Sequence, residues 1–312
     1  MKIKSTVEFE KLKDFKTVDP ISLTRNRIAI QQILDSELID SDSIENLVDR
    51  LQSYCEYFDI MFDELVRMRH EPLRKTPLFS WQLGESDISS ACWQVERIIP
   101  KLLLAQMYLK RGNKALPDYK QASDLYSEAI GLHNKIIGNL STWKWKNSDM
   151  NHTVFQKSWH DSMISNLQCL QHLAMLSVGI DKNLPNKTLL TVAERAVKSA
   201  AMSISQWSSK DEPENLLPIS QALQMYYSSK VLWQNEKYGN SIHRLSNLAR
   251  ASPAYSNFEA ISTELEKVGM LLSENQRINN GAYFDIVEMG EPLKSIEEML
   301  KDEMSGEKKV SK

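Results

Sequence analysis

This 312-residue sequence predicts an all-α protein. Three observations carry that prediction. Glycine and proline are scarce, at ten each, which suits long helices with short connections better than a turn-rich β-sandwich. Apolar residues recur at three- and four-residue intervals along most of the chain, the spacing of a stripe down one helix face. The third is the stretch 221–251, which reads as two helices joined at Lys237-Tyr238-Gly239, with Gly239 supplying the permissive turn residue. Leu223, Tyr226, Tyr227 and Val231 line its first helix, and Ile242, Leu245 and Leu248 its second. Such a hairpin cannot bury its own stripe and must stack on further helices.

The elements follow in order. Residues 28–38 predict a first helix after a break at Pro20. The second begins near Ser41–Ser43 and carries Leu47, Leu51, Tyr54, Phe58, Met61 and Phe62 on a broad apolar face. A proline-bounded linker covers 70–77, and 78–83 (LFSWQL) alternates as a short extended piece closed by Gly84. A long helix is predicted over 89–111, with Pro100 imposing a kink or broken turn. Helices over 119–140, 151–179 and 187–207 follow, separated by loops at 112–117 and 141–149 and a turn at Asn183-Leu184-Pro185-Asn186. After an exposed break at 208–214 comes the hairpin, then a last helix over 255–274. Beyond Asn279 the chain reads as irregular, ending in a disordered tail over 305–312.

Composition excludes several function classes. A net charge of −3 gives no bulk electrostatic case for nucleic acid or anionic membrane. No apolar run approaches the roughly 20 residues of a membrane span, and the N-terminal stretch lacks the apolar core of a secretory signal. The chain is expected in the cytoplasm. Cys55, Cys92 and Cys169 are unclustered, making neither a disulfide framework nor a metal knuckle. The six histidines contain no i, i+4 pair, so no metal site is expected. There is no nucleophile elbow, Walker A loop or dinucleotide fingerprint, so the chain is read as a non-enzyme without cofactors. Trp143-Lys144-Trp145-Lys146 is the one basic–aromatic cluster; two lysines are too few to carry nucleic-acid or headgroup binding, and a loop pinned by its tryptophans is the plainer reading. One apolar set is harder to assign to core alone. Met175, Leu176 and Val178 lead into the Asn183 turn, and Leu189, Leu190, Val192 and Ala193 lead out. A surplus of this kind marks either core or a groove for a partner's amphipathic helix.

Several motifs in order resemble one family. Leu51-Gln-Ser-Tyr54, Phe79-Ser80-Trp81, the helix opening at Glu96, Ala122…Ala129-x-Gly131, Tyr226-Tyr227 with Lys237-Tyr238-Gly239 and Arg244-Leu245, and the strip from Asn280 through Tyr283 and Asp285 to Pro292-Leu293 are similar to the Bro domain, the ALIX-type module of ESCRT-associated scaffolds. Departures occur at Cys169–Leu173, where the family has an Ala-Gln run, and at Pro100. Among stand-alone members the chain looks most like the fungal PalC group of ambient-pH signalling. The resemblance implies a single boomerang-shaped helical scaffold over residues 1–304, built on tetratricopeptide-like hairpins. It implies one main partner, the C-terminal amphipathic helix of the ESCRT-III core filament subunit, with other ESCRT or pH-signalling components besides. Recruitment would be peripheral, to endosomes or plasma-membrane ESCRT sites. The family's docking residues carry over to Met175, Leu176, Leu189 and Val192, and an acidic contact to Asp118. The rival reading is a helical-repeat adaptor for some other peptide, unrelated to ESCRT.

Overall fold

The computed structural model describes residues 1–12, 15–36, 41–68, 77–83, 86–116, 118–141, 152–206, 215–251, 258–283 and 287. The Trp143–Trp145 loop, most of the 70–77 linker, the 208–214 break, the strip beyond Tyr283 apart from residue 287, and the C-terminal tail lie outside the described residues. Among those described, ten α-helices and one small sheet make up the chain: β1 (Lys2–Ile3), α1 (Pro20–Asp35), α2 (Ser41–Arg67), β2 (Phe79–Leu83), β3 (Ser86–Ser90), α3 (Trp93–Lys114), α4 (Tyr119–Ser141), α5 (Lys157–Asp181), α6 (Asn186–Gln206), α7 (Leu217–Gln234), α8 (Tyr238–Ala251), α9 (Glu259–Glu266) and α10 (Val268–Ile278). They form two compact units, one from the described parts of 1–110 and 131–160, the other from those of 111–130 and 161–312.

In the first unit Pro20 opens α1 rather than breaking the chain before it. Asp19 caps the helix, accepting from the Ile21 amide at 3.0 Å and the Ser22 hydroxyl at 2.6 Å. A proline at the first helical position loses no hydrogen bond there, because that amide has no intrahelical acceptor. The extended piece is β2, whose Phe79, Trp81 and Leu83 alternate inward. It is the middle of an antiparallel sheet ordered β1-β2-β3, with Ile3 opposite Trp81 and Phe79 opposite Ser90. Ser89 and Ser90 therefore belong to a strand, and the helix predicted from 89 begins at Trp93. It continues through Pro100 without interruption to Lys114.

Phe9, Tyr54, Phe58, Phe79 and Trp93 pack as one aromatic cluster, with ring centroids 5.4 Å apart for Phe79–Trp93 and 6.0 Å for Phe9–Phe58. Beside it lies a buried carboxylate. Glu96 accepts from Arg27 Nε at 2.8 Å, the Tyr54 hydroxyl at 2.6 Å and Trp81 Nε1 at 2.6 Å. Two of the motif residues singled out in the sequence, Tyr54 and Trp81, thus meet on a third, Glu96. The Arg27 and Glu96 side chains are 2% and 0% exposed, so charge neutralisation within the cluster is what makes their burial tolerable. Burial and the Glu96 charge both push the Tyr54 phenol well up from its ordinary value. Burial likewise pushes the Cys55 thiol up to about 12, which keeps it protonated and inert.

The same unit buries His133 and His160 against each other, Nδ1 to Nδ1 at 2.9 Å. The Val154 carbonyl, 2.8 Å from His160 Nε2, can only accept, so His160 carries its proton there. Between the two facing Nδ1 atoms one carries the shared proton and the other accepts it. Burial first, and the facing imidazole second, push the His133 pKa down to about 3.

The second unit is a stack of antiparallel helices. Ser162 Oγ of α5 donates to the Ser203 carbonyl of α6 at 2.9 Å. The small buried face of α6 (Ala193, Ala196, Ala200 and Ala201) brings α7 close. The α7–α8 turn differs from expectation. Gly239 lies inside α8, and the left-handed residue is Glu236, with φ of 63°. The Lys237 amide reaches back to the Leu232 carbonyl (2.9 Å) and Glu236 to Trp233 (3.1 Å), the paired bonds of a Schellman cap. The α5–α6 turn repeats it: Asn183 has φ of 51°, Leu184 bonds to Gly179 (2.9 Å) and Asn183 to Ile180 (2.9 Å). The single last helix expected over 255–274 is two, α9 and α10, meeting at Lys267. Asn279–Tyr283 continues as a π-helical turn rather than an extended strip. There the Tyr283 ring stacks on Tyr238 at 3.9 Å.

Candidate partner-docking site

The second unit holds an open groove of about 730 Å³ between the first turns of α4 and the C-terminal half of α5. Met175 and Val178 on α5, with Lys182 just past its end, stand at i, i+3 and i+7; on α4 they are met by Lys120, Ser123 and Asp124. The Gln171 amide donates to Ser127 Oγ at 2.7 Å, tying the two helices together one turn beyond the groove. Asp118 stands at its mouth and caps α4, its Oδ1 accepting from the amides of Lys120 (3.2 Å) and Gln121 (3.1 Å). The lining combines the apolar side chains of Met175 and Val178 and the Tyr119 ring with five charged residues, Asp118, Lys120, Asp124, Asp181 and Lys182.

The five residues carried over from the sequence resolve into three groups. Asp118 and Met175 come together in the groove, and Met175 is 46% exposed, high for a large apolar side chain. Leu176 and Leu189 are interior residues, 0% and 5% exposed, and present no surface to a partner. For Leu176 the reason is helix geometry: one residue along turns the side chain by about 100°, so Met175 and Leu176 cannot share a face. Leu189 fills the space left by the missing side chain of Gly179, where a β-carbon would stand 2.7 Å from Leu189 Cδ2. Val192 is half-buried on α6 and does not line the groove. Tyr119, Asp124 and Lys182 were not anticipated as site residues. Val178 was noticed in the apolar string without being assigned to the site; its spacing from Met175 is the signal that pairs them.

Beside the end of α5 lies a second cavity, of about 420 Å³, faced by α9 and sharing Tyr119 and Asp181 with the groove. Glu264 anchors its wall, accepting from the Tyr226 hydroxyl at 3.0 Å and from Lys267 Nζ at 2.5 Å, with Lys230 Nζ at 3.9 Å. Burial alone would raise this carboxyl; the bonds from Lys267 and Tyr226 outweigh it and hold the group below its ordinary range. Among the described residues no group of three His, Cys, Asp or Glu side chains is placed to hold a metal ion, and no helix is long and apolar enough to cross a membrane.

No family model and no curated protein matches the sequence. Solved structures do match the fold. A complex described as ALIX BRO1 with CHMP4C superposes with a TM-score of 0.71 at 15% identity, over 95% of this chain and 90% of that one. The chain has the Bro1-domain fold. ALIX in complex with the SIVmac239 PYKEVTEDL late domain also gives 0.71 at 15% identity, over 89% of this chain and 42% of the longer ALIX chain. A structure described as the basis for endosomal targeting by the Bro1 domain gives 0.65 at 10% identity, over 96% and 88%. The Bro1 fold accounts for the ordered motifs: Tyr54, Trp81 and Glu96 build one buried cluster, and Tyr226 stands on the α7–α8 hairpin and reaches α9 through Glu264.

Proposed function

We propose that this chain is a non-enzymatic, ESCRT-associated scaffold whose α4–α5 groove receives the C-terminal amphipathic helix of an ESCRT-III filament subunit of the CHMP4 type. The observation that carries the reading is the meeting of Asp118 and Met175 in one groove, on a fold whose solved relatives include a CHMP4C complex. The mode is helix-in-groove. Apolar anchors on the partner cover Met175 and Val178, while Lys120, Asp124 and Lys182 beside them select its polar edge. Each anchor fully buried contributes about 1.5–3 kcal/mol before ordering costs. A groove of this size suits micromolar affinity, about 8 kcal/mol, and a polymerised filament would lengthen residence through avidity.

The test is a calorimetric titration of the full chain with a CHMP4C C-terminal-helix peptide, beside Met175→Asp and Val178→Asp. Wild type should bind with a micromolar Kd, and both variants should lose at least tenfold with unchanged circular dichroism. A folded wild type that does not bind at millimolar peptide removes the ESCRT reading in favour of an adaptor for another peptide. The finer assignments are part of the same proposal: one module over 1–304, recruitment from the cytoplasm to endosomal or plasma-membrane ESCRT sites, and a PalC-like role in ambient-pH signalling. They are supported by the sequence resemblance and tested by whether loss of the protein abolishes ESCRT-dependent pH signalling.

A further inference from the structure

The groove has a neighbour at the last turn of α5. Tyr119 and Asp181 line both it and the second cavity, so the two recesses adjoin across these two residues, the second facing α9. Their characters differ. The first is lined by Met175 and Val178. The second is polar, walled by Thr263, Glu259, Glu264 and Lys267 on one face of α9. Three carboxylates face one lysine there, and Lys267 is already held by Glu264. Asp181 and Glu259 are exposed, and among the described residues neither has a cationic partner. Along the first recess the charges nearly balance, Asp118, Asp124 and Asp181 against Lys120 and Lys182. From the groove to the α9 cavity the lining therefore passes from apolar and balanced to polar and negative.

We propose that the docking footprint continues past Tyr119 and Asp181 into the α9 cavity, which receives a basic side chain on the same partner segment whose apolar face covers Met175. This rests on the helix-in-groove reading and adds its direction: the partner lies with its basic end toward α9. A long lysine or arginine side chain fits such a place because its stem lies along the Tyr119 ring while its head meets Asp181 and Glu259. Steering by these exposed carboxylates acts through association rate and weakens with salt.

The experiment uses the full chain and the CHMP4C C-terminal-helix peptide with three variants. Thr263→Trp blocks the cavity from an exposed position, Asp181→Lys/Glu259→Lys reverses its charge, and Met175→Asp disrupts the groove. The expected result is micromolar binding by wild type, a loss of about tenfold or more in each of the first two, and a shallower salt dependence for the charge reversal than for wild type. Binding lost in Met175→Asp but unchanged within twofold in both α9-cavity variants overturns the extension and leaves the groove reading standing. No binding by folded wild type overturns both.

Discussion

Glu96→Gln is the sharpest test of how the first unit is held together. The substitution keeps size and shape while replacing one carboxylate oxygen by an NH₂ group. Oε1 accepts from Arg27 Nε and Tyr54, and Oε2 from Trp81 and, at 3.4 Å, from Arg27 Nη2. Whichever oxygen is replaced, two donors then face a donor, and the buried guanidinium has lost its counter-charge. Breaking a buried pair in this way costs about 3–5 kcal/mol. Replacing both partners, Arg27→Met with Glu96→Leu, removes the charges together and should recover at least half of that loss, since an apolar pair of similar volume is often neutral. Urea unfolding of Glu96→Gln and of the cycle formed by wild type, Arg27→Met, Glu96→Leu and the double variant, followed by circular dichroism, measures the loss and the coupling. A loss below about 1 kcal/mol for Glu96→Gln, or a double variant as unstable as the sum of the singles, would refute the claim that the carboxylate organises this core.

Three further predictions address other features. His133 binds its proton with a pKa near 6.5 when unfolded and about 3 when folded, so its contribution is complete above pH 6.5 and is lost as pH falls toward 3. By pH 5.5 the loss is about 1.4 kcal/mol, and His133→Phe should flatten the stability profile between pH 7 and 5; an unchanged slope would show that the buried pair is not its source. Glu236→Gly should stabilise the chain by about 0.5–1 kcal/mol, since the left-handed conformation strains an ordinary residue more than glycine's backbone freedom costs; a lowered melting temperature would contradict the Schellman assignment. Leu189→Asp should destabilise by more than about 3 kcal/mol as a buried unpaired charge, whereas Met175→Asp should leave the melting temperature within a few degrees. Equal effects in the two would mean that the inside and outside of the α5–α6 hairpin have been misassigned.

What could be read from the chain follows from which interactions are local. α2, α4 and α6 were legible because their apolar periodicity persists over five or more turns. β3 was not, because Ser86-Asp-Ile-Ser-Ser90 has almost no apolar pattern and becomes a strand only by pairing with β2. Pro20 and Gly239 were misplaced for a related reason. Each is compatible with two positions at a helix end, and the choice was made by Asp19 in one case and by Glu236 in the other. Asp118 and Met175, named through family resemblance, line one groove, which is proposed as the site. Leu176 and Leu189 were misread because a nearly continuous apolar string does not say which side faces water. The groove itself pairs helix faces some fifty residues apart, and Arg27 meets Glu96 across 69 residues. No local pattern announces either.

The pairing of β1 with β2 has a consequence for how the chain is made. Ile3 is matched to Trp81, and the Ser5 hydroxyl bridges the Leu78 carbonyl and the Ser80 amide. Seventy-eight residues separate Ile3 from the tryptophan it lies against. At about 5–20 residues per second of synthesis, β1 waits roughly 4–16 s for its partner to be translated. Tyr54 and Phe58, which pack on Phe9, are translated earlier, but throughout that interval Ile3, buried in the finished unit, has no strand to pair with. The nascent chain thus carries β1 unpaired past the ribosome exit and its attendant chaperones until β2 arrives to cover it.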